Sequence, residues 1–227
     1  MRIELEKKFN QRLNNKKLYR AASTPLTLIA AGIFAMDNDL IDQEDIWEIR
    51  QEKIPNFKSH LDDYLQFAPI AAAYGLHAFG VKGHHRFGDR TMLLLKSELL
   101  MMAIVTPLKK FTHVKRPDGS AFTAFPSGHT AQAFVAATFF HKEYGHLSPW
   151  YSIAAYTAAS SVGILRVLNN RHWLSDVLAG AGIGILATNL VYLTHRYKWS
   201  DKPPKRKLIA LPSYHNNSFG FVLNLKF

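Results

Sequence analysis

Six apolar segments, separated by charged connections, limit this chain to a bundle of helices. Each segment is 12 to 21 residues long and carries little charge. Because a helix needs about 20 apolar residues to cross a bilayer, segments of this length form either membrane spans or buried core helices. The six segments are residues 21–36, 65–81, 92–108, 129–140, 150–165 and 174–194.

The charges of the connections predict how such a bundle is oriented. Residues 1–20 carry seven Lys or Arg against two Glu, and the tail from residue 196 is also basic. Residues 37–63 carry nine Asp or Glu against three Lys or Arg. Because basic connections stay on the cytoplasmic side, six spans place both termini inside and residues 37–63 outside.

We therefore expect an all-α protein, a six-helix transmembrane bundle, in three parts. Residues 1–20 form a basic N-terminal interfacial segment, residues 21–198 the helical domain, and residues 199–227 a C-terminal tail. In the tail, apolar residues at every second position predict a short C-terminal β-hairpin or strand. They are Phe219, Phe221, Leu223, Leu225 and Phe227, and residues 208–211 are expected to pair with them across residues 212–218.

The acidic connection predicts a short helix lying on the surface. Its apolar face would contain Ile46, Trp47, Ile49 and Ile54, and Pro55 would end it. Asp37, Asp39 and Asp42 resemble the start of a calcium-binding loop, but the required glycine is missing. We therefore interpret this cluster as an acidic surface.

Composition narrows the classes of partner. The formal net charge of +11 favours anionic partners: phosphates, acidic lipids or nucleic acid. No basic-aromatic motif for nucleic acid is present, so a membrane lipid is the expected partner. The chain has no cysteine, which excludes thiolate chemistry. Its mean hydropathy of −0.09 is low for a membrane protein and keeps a soluble periplasmic protein open as an alternative.

Three short polar clusters interrupt the apolar background between residues 109 and 176. They read K-x6-R-P from Lys109, P-S-G-H ending at His129, and R-x5-H-x3-D ending at Asp176. Together they offer strong cations for a phosphate, a helix start at Ser127 and Gly128 whose backbone N–H groups suit an anion, and two histidines.

The third cluster pairs an imidazole with a carboxylate. His172 and Asp176 are four residues apart, so they share one face of a helix. A carboxylate on one ring nitrogen fixes the tautomer and leaves the other nitrogen free to react. The spacing does not decide which histidine attacks the phosphorus.

In these motifs the chain resembles the type 2 phosphatidic acid phosphatase (PAP2) superfamily, and in particular its bacterial membrane lipid phosphatases. One departure is Leu165, where the family usually has Ser. The resemblance implies that His172 is the nucleophile and forms a phosphohistidine, that His129 is the general acid, and that Asp176 orients His172. It also implies the phosphate-binding residues Lys109, Arg116, Ser127, Gly128 and Arg166.

The expected function is hydrolysis of a lipid phosphate or diphosphate: phosphatidylglycerol phosphate, phosphatidic acid, isoprenyl diphosphate or a lipid A phosphate. We expect it in the bacterial inner membrane, with the site facing the periplasm. Only Asp118 and Asp176 are carboxylates near the motifs, so no metal and no cofactor are expected, and activity should survive a chelator. The alternatives are a soluble periplasmic acid phosphatase and, with less support, a vanadate-dependent haloperoxidase.

Overall fold

A computed structural model describes residues 2–36, 43–195, 207–215 and 218–226. The chain divides into two compact units, residues 1–195 and 196–227. In its described residues the first unit is all-helical, with eight helices: α1 Arg2–Phe34, α2 Gln43–Lys53, α3 Leu61–Leu65, α4 Ala68–Ala78, α5 Phe87–Thr112, α6 Gly128–Tyr144, α7 Pro149–Leu168 and α8 Leu174–Thr194.

Six of these helices, all but α2 and α3, coincide with the six apolar segments. The other two lie in or beside the acidic connection, and α2 ends before Pro55 as the sequence predicts. α1 continues through residue 20 without a break, so the basic segment and the first apolar segment share one helix. The side chains of residues 1–14 lie outside the described part of the structure.

Three helices among the described residues are long and apolar enough to cross a membrane: α5, α7 and α8. α4 has 11 residues and is about 17 Å long at 1.5 Å per residue, whereas the hydrocarbon core of a bilayer is about 30 Å thick. The structure therefore supports a helical membrane protein without confirming the predicted number of six spans.

α8 lies at the centre of the bundle and packs against α1, α5 and α6. Its glycines allow this close approach. A Cβ atom on Gly180 would lie 2.5 Å from the carbonyl oxygen of Ser127 at the start of α6, and one on Gly182 would lie 2.6 Å from the carbonyl oxygen of Pro25 in α1. Small residues at such positions let helix backbones touch, so α6 is held directly beside α8.

Polar residues inside the bundle are paired between helices. Glu98 of α5 accepts a 2.7 Å hydrogen bond from Gln132 of α6. Glu143, which is completely buried near the end of α6, accepts hydrogen bonds from His85 and from Tyr192 of α8. Since buried charges are costly unless paired, these contacts fix how the helices are rotated.

The second unit contains two antiparallel strands, β1 Lys207–His215 and β2 Ser218–Lys226. Their pairing runs from Lys207 opposite Lys226 to His215 opposite Ser218. The strands are longer than the predicted pairing of residues 208–211, because β1 continues through Pro212. Proline lacks the N–H that a central strand must donate, and a two-stranded sheet has only edge strands, which tolerate it.

Replacing Gly180 with alanine tests the contact between α6 and α8. The added methyl group has no space against the Ser127 carbonyl, so we expect Gly180→Ala to destabilise the protein by about 1–3 kcal/mol and to lower the melting temperature in detergent by several degrees. Gly75→Ala is the matched control, because nothing lies within 4 Å of a Cβ atom there and alanine favours a helix. Equal melting temperatures for the two variants would contradict the packing.

Candidate active site

The second polar cluster forms the start of α6. Ser127 is the N-cap: its hydroxyl accepts a hydrogen bond from the backbone N–H of Thr130 and a 2.9 Å hydrogen bond from the Thr130 hydroxyl. Gly128 is the first helical residue, as the sequence predicts. The first N–H groups of a helix have no partners inside the helix, so this end of α6 is suited to hold an anion.

One carboxylate oxygen organises the start of α8. Oδ2 of Asp176 accepts a 2.8 Å hydrogen bond from the backbone N–H of Trp173 and lies 3.2 Å from Nδ1 of His172. The same oxygen therefore caps the helix and orients the imidazole. Because Nδ1 is engaged, Nε2 of His172 is the nitrogen that can react.

Hydrogen bonds join the three clusters to one another. The backbone N–H of Ser127 donates to the carbonyl of Asp176 at 3.0 Å. The indole N–H of Trp173 donates to the carbonyl of Lys115 at 2.9 Å. These two contacts attach the second and first clusters to the third, so motifs that are distant in sequence form one site.

Three cations lie around His172. Lys109 donates a 2.7 Å hydrogen bond to the carbonyl of Thr123, and Arg166 is 7% exposed. In the part of the chain that the structure describes, Nε of Arg116, Nε of Arg166 and Oδ1 of Asp176 are buried without a hydrogen-bond partner. Two unpaired guanidinium N–H groups are donors that a phosphate could satisfy.

The electrostatics of this group favour a neutral His172 and a bound anion. Burial, followed by the positive charges of Lys109, Arg166 and Arg116, holds the pKa of His172 well below its usual value. Burial and the neighbouring charges of Arg171 and Arg166 also lower the pKa of Arg116. A negatively charged ligand would relieve this crowding of positive charge.

Two carboxylates from outside the motifs reach the site, and sequence reasoning missed both. Oδ2 of Asp62 lies 2.7 Å from a terminal nitrogen of Arg166. Oδ1 of Asp63 lies 3.0 Å from Nε2 of His129. Both belong to α3, so the expectation that only Asp118 and Asp176 lie near the motifs is wrong. Asp62 is buried, with 1% of its surface exposed, whereas the Asp37, Asp39 and Asp42 cluster that we interpret as acidic surface lies outside the described residues.

One candidate metal-binding group occurs among the described residues. Single ligand atoms of Asp62, Asp63 and His129 lie within 4.8 Å of one another. The Asp62 carboxylate is already bonded to Arg166 and, at 3.0 Å, to the side-chain amide of Asn169. A cation would have to compete with the Arg166 guanidinium for the same carboxylate, so the contacts fit an ion-pair network better than a metal centre.

A cavity of about 660 Å³, lined mainly by polar and charged residues, opens beside the site. Its lining includes His129, Arg166, Asp63 and Arg171. His172 is 2% exposed and is not part of this lining. The cavity therefore leads to the histidine of the second cluster and the arginine of the third, and His172 lies deeper.

Comparison with known proteins gives the family of this site. The sequence profile described as "PAP2 superfamily" matches residues 90–200, which contain all three polar clusters. A lipid A 1-phosphatase from Porphyromonas gingivalis is 40% identical over 168 residues, which are 74% of this chain and 37% of that protein. A lipid A 1-phosphatase from Rhizobium etli is 40% identical over 78 residues, 32% of this chain and 31% of that protein.

The chain thus spans about a third of the length of these curated relatives. Among solved structures, a PAP2-type transmembrane phosphatidylglycerolphosphate phosphatase from Bacillus subtilis has a similar fold, with a TM-score of 0.53 and 24% identity. The similarity covers 74% of this chain and 94% of that one.

Phosphate binding tests whether the unpaired donors form an anion site. We expect inorganic phosphate to raise the melting temperature of the protein, by an amount equivalent to about 2.7 kcal/mol at 100 times its Kd. Arg116→Ala should lose most of this shift, because it removes a buried donor. Lys115→Ala removes one positive charge from the neighbouring, exposed position and should keep the shift. Equal shifts in the two variants would contradict the assignment of Arg116.

Proposed function

Because this chain belongs to the PAP2 superfamily through residues 90–200, we propose that it is a membrane phosphatase that removes a phosphate from the headgroup of a lipid. The favoured substrate is lipid A carrying a 1-phosphate. The observation that carries the proposal is the grouping of Lys109, Arg116 and Arg166 around a buried His172 whose Nδ1 is held by Asp176.

Two observations support a lipid A phosphate over the smaller lipid phosphates. The first is the 40% identity over 168 residues to a protein named lipid A 1-phosphatase. The second is the cavity of about 660 Å³ beside His129 and Arg166, which has space for far more than a phosphoryl group. The polar residues of its lining, which include Ser59, Asn169 and Asn170, suit a headgroup that carries hydroxyl groups.

Binding begins with the phosphoryl group among the cations. Nε of Arg116 and Nε of Arg166 donate to its oxygens, and the N–H groups of Gly128 and His129 at the start of α6 add further donors. Lys109 contributes a point charge. These fixed donors neutralise the charge that a divalent metal neutralises in other phosphatases, so the proposed reaction needs no metal.

The chemistry then proceeds in two steps. Nε2 of His172 attacks phosphorus, the bond from phosphorus to the lipid oxygen breaks, and that oxygen takes a proton from His129. The products are the dephosphorylated lipid and a phosphohistidine. A water then attacks the phosphohistidine while His129 takes one of its protons, so phosphate leaves and both histidines return to their starting states.

The charge pattern supports a site on the outer side of the inner membrane. The helices α5, α7 and α8 are long and apolar enough to span, and the acidic connection between α1 and α4 supplies Asp62 and Asp63 to the site. Since acidic connections are tolerated outside and basic ones are retained inside, we assign the site to the periplasmic face. In this proposal α1, α4 and α6 complete the six-helix bundle.

A panel of lipid phosphates tests the function and its nucleophile. Purified protein in detergent and EDTA should release phosphate from lipid A with a 1-phosphate faster than from phosphatidic acid, phosphatidylglycerol phosphate or isoprenyl diphosphate. His172→Ala should abolish turnover and the acid-labile phosphoenzyme, because it removes the attacking nitrogen. Rapid, unselective hydrolysis of soluble monoesters without detergent would favour the periplasmic acid phosphatase instead.

His129→Ala tests the general acid. A lipid or sugar oxygen is a poor leaving group and needs the proton, so the variant should slow hydrolysis of lipid A by about 100- to 10,000-fold. The p-nitrophenolate ion leaves without a proton, so hydrolysis of p-nitrophenyl phosphate should slow far less. Equal losses on the two substrates would exclude the general-acid role.

A further inference from the structure

α3 brings a carboxylate to His129 that no motif contains. Oδ1 of Asp63 lies 3.0 Å from Nε2 of His129, and Oδ2 lies 3.4 Å from Nδ1 of His60. The Asp63 and His129 side chains are both partly exposed, and both line the cavity beside the site. The contact therefore joins a residue of the acidic connection to the second polar cluster across 66 positions of sequence.

We propose that Asp63 is a positioning residue for the general acid. Its carboxylate holds His129 through Nε2, so Nδ1 is the nitrogen that delivers the proton to the leaving oxygen. After that transfer the ring is neutral, and its remaining hydrogen, on Nε2, stays bonded to Asp63. This inference rests on the proposed function, because it gives His129 the role of general acid.

The position of Asp63 is fixed by contacts with the end of α7. The side-chain amide of Asn169 donates to the carbonyl of Ser59, and its oxygen accepts from the backbone N–H of Ser59, both at 2.8 Å. Asp62, the next residue before Asp63, is bonded to Arg166 and to the same Asn169. These bonds anchor α3 on both sides of residue 60, so the carboxylate of Asp63 starts from a fixed backbone.

The negative charge of Asp63 suits its proposed role of positioning His129. Burial acts to raise the pKa of Asp63, but hydrogen bonds with His60 and His129 bring it below its usual value, so the group is an anion at neutral pH. The charged groups around His129 are Arg166 of α7 and Asp62 and Asp63 of α3, and the titratable His172 lies beyond them. Arg166 opposes a positive charge on His129, and the two carboxylates oppose Arg166.

The same arrangement occurs twice in the site. His172 is held at Nδ1 by Asp176 and reacts through Nε2, whereas His129 is held at Nε2 by Asp63 and reacts through Nδ1. A carboxylate fixes the tautomer of each ring and stabilises its protonated form. Asp176, which holds the proposed nucleophile His172, belongs to the same motif as His172. Asp63, which holds the proposed acid His129, lies in a segment that precedes all three motifs.

Asp63→Asn tests this role, with Glu52→Gln as the matched control. Glu52 is an exposed acid of α2 that pairs with Lys53 and does not line the cavity. We expect Asp63→Asn to lower kcat for lipid A by about tenfold or more, a part of the contribution of a general acid, with KM unchanged or lower. Hydrolysis of p-nitrophenyl phosphate should fall by less than about twofold, and Glu52→Gln should match the wild type on both substrates.

A double-variant cycle separates a positioning role from a structural one. In a His129→Ala background, Asp63→Asn should have no further effect on lipid hydrolysis, because the imidazole that Asp63 positions is absent. An additive loss, an equal loss on both substrates, or faster lipid hydrolysis by Asp63→Asn would overturn the inference. If the wild type does not hydrolyse lipid phosphates, the proposed function is overturned as well. If the wild type does hydrolyse them and Asp63→Asn hydrolyses them at the same rate, this inference alone is overturned.

A measurement on the wild type covers the case in which Asp63→Asn does not fold. ¹⁵N NMR of protein containing ¹⁵N-labelled histidine reports which ring nitrogen carries hydrogen. The spectrum of His129→Ala assigns the signals of His129. We expect Nε2 of His129 to be protonated in both the neutral and the charged ring. A neutral His129 with hydrogen on Nδ1 alone would overturn the inference.

Discussion

The site depends on how closely α6 and α8 approach each other. The backbone N–H of Ser127 donates to the carbonyl of Asp176, so the first turns of the two helices lie side by side. This contact needs a residue without a Cβ atom at Gly180, one turn further along α8. With the two helix starts joined, the N–H groups at the start of α6 and the imidazole next to α8 lie close to each other, and we propose that both contact the phosphate.

The charge of the site follows from this geometry. Lys109, Arg116 and Arg166 converge on His172 and keep it neutral, which is the form in which a ring nitrogen can attack. Buried cations are unfavourable unless they are paired, and Asp62 pairs with only one of them. The remaining positive charge favours a phosphate dianion over a neutral ligand, so in the proposed mechanism the same residues keep the nucleophile unprotonated and select the substrate.

Local features of this site could be predicted from the sequence because they depend on short spacings. The N-cap at Ser127 and the pair of His172 and Asp176 span three and four residues. Contacts between distant segments could not be predicted, because an acidic stretch does not show which of its carboxylates turns inward: Asp62 meets Arg166 across 104 positions. Likewise, α6 continues past the apolar segment 129–140 to Tyr144, and its buried Glu143 contacts His85, 58 positions away, which the apolar pattern does not indicate.

The acidic connection shows how a charge pattern can serve two purposes. The proposed topology places this connection, with its nine carboxylates and only three Lys or Arg, on the outer side of the membrane. Two adjacent ones, Asp62 and Asp63, also contact Arg166 and His129, and this is possible because the short helix α3 is anchored by Asn169 to the end of α7. In the proposed orientation, this connection therefore also brings negative charge to the face on which the cations gather. There Asp62 pairs with Arg166, and we propose that Asp63 holds His129 in place.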